Sequence, residues 1–122
     1  MEPIEILKIA ANALNEKKAK QLSAIKISDL TVLTDFFLMC TATSSTHVKS
    51  LCDEVEDKLE ENGIKPHHIE GRATGWIVLD YGSVIIHIFG ANEREYYGLD
   101  KMWSDGTVLD MSEILTNSEE EA

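Results

Sequence analysis

The stretch from Trp76 to Phe89, WIVLDYGSVIIHIF, constrains this chain more than any other. Two apolar runs, Trp76 to Leu79 and Ser83 to Phe89, flank a tight Asp80-Tyr81-Gly82 link, the pattern of a β-hairpin with a short or bulged loop. Side chains alternate along a strand, so Trp76, Val78 and Asp80 share one face while Ile77 and Leu79 take the other. If the first face stays open, it presents an apolar anchor with a carboxylate at its rim. Trp76, Tyr81, Tyr96, Tyr97 and Trp103 read as core-edge packing or, if several stay exposed, as partner contacts, since Tyr and Trp are the residue types that most often carry binding energy at interfaces.

The rest of the chain supplies a frame for this hairpin. Pro3 to about Lys20 reads as a helix, with Pro3 at its first position and Ile4, Leu7, Ala11 and Leu14 returning at helical spacing. Glu2 and Glu5 near its start and Lys17, Lys18 and Lys20 near its end complement the helix dipole. Ala24 to Ser28 is a short strand, and Asp29 to Asp35 a connection. Phe36 to Thr41 reads as a central strand covered on both faces. Thr43, Ser44 and Ser45 offer caps for a helix to about Asn62, with the stripe Val48, Leu51, Cys52, Val55 and Leu59, and Gly63 as its stop. His67 to Gly71 is a third strand, and Asn92 with Glu95 can cap a last helix bearing Leu99, Met102 and Trp103. The expected architecture is therefore a single α/β domain over residues 1–106, with a mixed sheet of about five strands flanked by helices. Residues 107–122, ending in three glutamates and an alanine, are expected as an acidic flexible tail.

Charge narrows the partners. Eleven Lys and Arg against twenty-two Asp and Glu give a net charge of −11, which opposes direct binding to phosphates and favours encounter with a basic protein surface. No apolar run approaches the ~20 residues needed to span a bilayer. The acidic start Met-Glu-Pro-Ile-Glu lacks a secretory n-region, so a cytoplasmic protein is expected. Cys40 and Cys52 fit no redox or metal spacing and read as buried thiols.

Catalytic constellations are weak. No phosphate-cradling glycine loop and no nucleophile elbow is present. His67 and His68 are adjacent and point to opposite sides of a strand, a poor grip for one metal. His47, in the first turn of its helix, reads as a surface residue, and His87, in an apolar strand, as a core or cleft histidine whose ring nitrogens find backbone or carboxylate partners. Asp35 and Asp80 each border an apolar strand. Such a pair can hold a divalent cation for nucleotidyl transfer, or simply cap and start turns. No metal and no cofactor is expected.

Three segments together resemble the ribosomal silencing factors of the Iojap-like group. They are Thr34-Asp35-Phe36-Phe37 leading to Ser44-Ser45-Thr46-His47-Val48, Ile69-Glu70-Gly71 followed by the Trp76–Phe89 hairpin, and Arg94-Glu95-Tyr96-Tyr97-Gly98-Leu99-Asp100-Lys101-Met102-Trp103. The chain departs from the family pattern at Ala42, Thr46, Gly98 and Asp100. The resemblance implies a nucleotidyltransferase-like fold without that chemistry, hence no enzyme. It implies a translational repressor that docks on ribosomal protein fourteen of the large ribosomal subunit and blocks joining of the small one when nutrients are scarce. It also implies a possible homodimer when free. By family position the partner-binding residues are Trp76, Asp80 and Tyr81, with Asp35, Glu70 and Tyr97 beside them. The alternatives are a large-subunit assembly factor using the same surface, and a metal-dependent nucleotide-binding enzyme.

Overall fold

The structure, a computed structural model, describes residues 1–71, 75–94, 98, 101 and 104–115. Helix α1, Pro3–Glu16, opens with Pro at its start and a capping box in which Glu2 and Glu5 exchange side-chain and backbone bonds. It ends earlier than the sequence suggests. Lys17 is the C-cap, Lys18 takes a left-handed φ of 64°, and Lys20 already lies in strand β1, Lys20–Lys26, so no basic residue occupies the last turn. A bulge between Lys20 and Ser23, with Gln21 at φ 49°, hides the start of β1 from an alternation test.

Strand β2, Phe36–Thr41, is buried along its whole length, as a continuous apolar run requires. Helix α2, Ser45–Glu61, is capped by the Ser44 hydroxyl, which accepts from the His47 N–H at 3.1 Å. Gly63 stops it at φ 76°, a left-handed turn that glycine adopts without a Cβ clash. Strands β3, His68–Glu70, β4, Trp76–Asp80, and β5, Val84–Phe89, follow.

Two elements were not legible. Strand β6, Thr107–Val108, pairs antiparallel with β1, and helix α3, Met111–Ile114, buries Ile114 against α1 and the core. The fold therefore runs through residue 114, and the expectation of a flexible tail from 107 is corrected: a buried isoleucine and a strand pairing anchor its first half.

The sheet is mixed and has six strands in the order β3-β4-β5-β2-β1-β6, one more than expected. Only β2 and β5 run parallel among the pairs described; the others are antiparallel. The alternation rule sorts its two faces. Ala24, Leu38, Cys40, Ile77, Leu79, Ile86 and Ile88 join the core made with α1 and α2. Ile25, Phe37, Met39 and Phe89 face the other way, with Trp76 and Ile85 packed on them. Both outer strands are short, three residues at β3 and two at β6.

Candidate functional site

The second sheet face carries the site. Residues that pair across neighbouring strands of an antiparallel sheet project to the same side. His68 faces Asp80, Glu70 faces Val78, Val78 faces His87, and Trp76 faces Phe89. One surface thus runs from a polar edge on β3 through the row Asp80, Val78, Trp76 on β4 to the aromatic floor of β5. Trp76, Val78 and Asp80 are each partly exposed, whereas Ile77 and Leu79 between them are buried, as the alternation predicts.

Trp76 lies flat on this floor. Its ring stacks on Phe89, with centroids 5.2 Å apart and an interplanar angle of 23°. Its indole N–H donates to Nδ1 of His87 at 3.1 Å. His87 is buried and meets Phe37 edge-on, with centroids 4.9 Å apart. His87 is a core histidine as expected, but the donor on its Nδ1 is the Trp76 indole and not the backbone or carboxylate partner expected.

Asp80 is held by its own turn. Its Oδ1 accepts the Gly82 N–H at 2.8 Å, and its carbonyl accepts the His67 N–H at 2.8 Å. Gly82 has φ 82°, and a Cβ there would come within 2.9 Å of the His67 ring, so this corner requires glycine. Asp35 sits at the same end of the sheet. Its N–H donates to the Ser83 carbonyl at 3.0 Å, and its carbonyl accepts from Ile27 at 2.9 Å. Glu70 is exposed and bonds His68 at 2.5 Å on the edge strand, a surface pair of little energetic weight.

Tyr81 corrects the expectation of an outward anchor. It is only 4% exposed and packs into the core on the α2 side. Burial, with the Glu56 carboxylate and other groups of α2 nearby, raises its phenol above the ordinary range. That is the side alternation assigns to it, since Tyr81 continues the row of Ile77 and Leu79, opposite Trp76, Val78 and Asp80. Tyr97 lies outside the described residues, as do Tyr96, Leu99, Met102 and Trp103.

Three features were missed from sequence. His47 is a brace, with Nδ1 accepting the Thr43 N–H at 2.9 Å and Nε2 bonded to the Lys17 carbonyl at 2.7 Å, so it ties the start of α2 to the end of α1. Arg94 reaches back across the fold to the β1 bulge, bonding the Gln21 carbonyl and, at 2.9 Å, the Ser23 hydroxyl. Glu93 sets its carboxylate against Gly75 and Gly90, in a cavity of about 590 Å³ near the start of α2 that Ser44, Ser45 and Cys52 also line. Among the described residues, the one group of three metal-capable side chains with donor atoms within 4.8 Å of one another is Cys52, Asp53 and Glu56. It includes neither Asp35 nor Asp80, the pair a metal-dependent enzyme would use. No helix among the described residues is long and apolar enough to cross a membrane.

Known proteins are similar to this chain in fold and in sequence. A crystal structure of a protein from Chromobacterium violaceum superposes with a TM-score of 0.82 at 33% identity, covering 85% of this chain and 88% of that one. A ribosomal silencing factor of Bacillus subtilis is 36% identical over 112 residues, 91% of this chain and 95% of that protein. A mouse protein named for mitochondrial assembly of the ribosomal large subunit is 27% identical over 95 residues, which are 75% of this chain and 42% of that protein. The family described as "Ribosomal silencing factor during starvation" matches residues 1–122. This chain belongs to the ribosomal silencing factor family.

Proposed function

We propose that this protein represses translation by docking on ribosomal protein fourteen of the large subunit and so blocking the small subunit from joining. Family membership fits a translation-regulating role, and the finer reading rests on one observation. The row Trp76, Val78, Asp80 is open on the second sheet face, with Glu70 on the adjacent strand, in a chain of net charge −11. A flat aromatic anchor at one end of β4 with a fixed carboxylate at the other suits a basic protein surface, and the acidic field speeds that encounter. Trp76 supplies apolar contact, and Asp80 pairs with a Lys or Arg of the partner. Tyr81 holds the turn from beneath, while Asp35 and Glu70 add acidic rim. Free protein self-associating as a homodimer is part of the same proposal, as is a cytoplasmic site of action. No cofactor and no catalytic group enters this reading.

Co-sedimentation with isolated large subunits, small subunits and joined ribosomes tests it. Wild-type protein pellets with free large subunits only, and the double variant Trp76→Ala with Asp80→Lys stays in the supernatant while keeping its far-ultraviolet dichroism. Retention of that variant on large subunits removes these residues from the site. The name of the mouse relative favours a second reading, a role in large-subunit assembly through the same surface. Depleted cells would then accumulate incomplete large subunits, whereas a joining block leaves finished subunits that associate too freely.

A further inference from the structure

The connection from Asp29 to Asp35 carries an apolar tip that the core does not use. Leu30 is 46% exposed, Leu33 82%, and Val32 fully so. Exposed aliphatic side chains are ordinary one at a time, but three within four residues form a patch. The loop does not hold them out by chance of looseness. Leu30 and Thr31 donate their N–H groups to the Ile27 carbonyl at 2.8 and 3.1 Å, the Thr31 hydroxyl accepts from the Leu33 N–H at 3.1 Å, and Ile27 and Asp35 close the base at 2.9 Å. Thr34 is buried beneath. A loop braced in this way loses little conformational freedom when something covers it.

Its position is continuous with the proposed docking row. Both Asp35 and Phe36 donate to the Ser83 carbonyl, at 3.0 and 3.1 Å, so the base of the loop is bonded to the corner that fixes Asp80. Asp29 and Asp35 flank the tip on either side. We infer that Leu30, Val32 and Leu33 form a second apolar contact of the same interface, seated in an apolar recess of the basic partner whose cationic groups Asp80 and Asp35 engage. This rests on the docking reading above and adds to it a second point of contact at the opposite end of β4 from Trp76. Two separated anchors fix orientation as well as affinity, which a single tryptophan cannot do.

The test uses the variant Val32→Asp with Leu33→Asp, whose sites are too exposed to matter to the core, beside wild type and the Trp76→Ala, Asp80→Lys variant. Large-subunit affinity is read by co-sedimentation across a concentration series, and self-association by sedimentation equilibrium. The inference expects the loop variant to melt with wild type and bind the large subunit at least about tenfold more weakly. Wild-type affinity in the loop variant overturns it and leaves the docking reading standing. If the loop variant binds as wild type but no longer self-associates, the patch belongs to a second copy and the inference also falls. Failure of wild type itself to bind overturns the docking reading, and the inference with it.

Discussion

The indole N–H of Trp76 and Nδ1 of His87 meet at 3.1 Å across neighbouring strands, so the residue proposed as anchor is oriented by a buried histidine. An Nδ1 that accepts must be unprotonated there, which leaves any ring proton on Nε2. The floor of the site is thus set by a neutral imidazole, with Phe37 against its edge.

His87→Phe keeps an aromatic ring against Phe37 but removes the acceptor. It is expected to lower stability by about 1–2 kcal/mol, the cost of a lost hydrogen bond in a half-buried setting. Urea unfolding measures this, and the same variant should bind large subunits more weakly because the indole is no longer held flat. An unchanged urea midpoint would mean that packing alone positions Trp76.

Tyr81→Phe separates two roles for that residue. Its hydroxyl is buried and has no hydrogen-bond partner among the described residues, so removing it should leave stability unchanged or slightly raised. Large-subunit binding should also be preserved. A binding loss with an intact fold would show that the phenol reaches the partner after the turn rearranges.

Alkaline pH should loosen the fold. Burial pushes the Cys40 thiol from 9.0 up to about 12, with Arg94 nearby opposing the rise, and burial raises the Tyr81 phenol in the same direction. The unfolded chain then releases these protons at lower pH than the native state does. Their contribution is complete below about pH 9 and is lost as pH climbs toward the folded values. Urea midpoints should hold from pH 8 to about 9 and fall from there to pH 11. At pH 8, a thiol reagent should label neither Cys40 nor Cys52 until denaturant is added, because both are buried. Rapid labelling of the native protein would contradict that burial.

Much of this arrangement is legible in residues whose neighbours in space are also neighbours in sequence. The stripe of α2, its Ser44 cap and the inward and outward rows of β4 follow from periodicity alone. What escaped depends on distant pairing. Nothing local marks Thr107 and Val108 as a strand, because their pairing comes from Ile25 and Lys26, and nothing local marks Ile114 as core. The site divides the same way. Trp76 and Asp80 follow from alternation, and the same rule puts Tyr81 with Ile77 and Leu79; expecting it outward gave its residue type more weight than its place in that row. Leu30, Val32 and Leu33 look like any short apolar cluster until the loop is seen to hold them in water.

The sheet ends on one side in a three-residue strand bearing His68 and Glu70, and on the other in a two-residue strand. Neither rim is long enough to template a further strand from another chain, and charge on one of them discourages the attempt. Among the described residues both rims are short, which works against growth by sheet extension into filaments or swapped ladders. Such rims favour encounters at faces, corners and loops, where side chains and not backbone amides decide who is admitted.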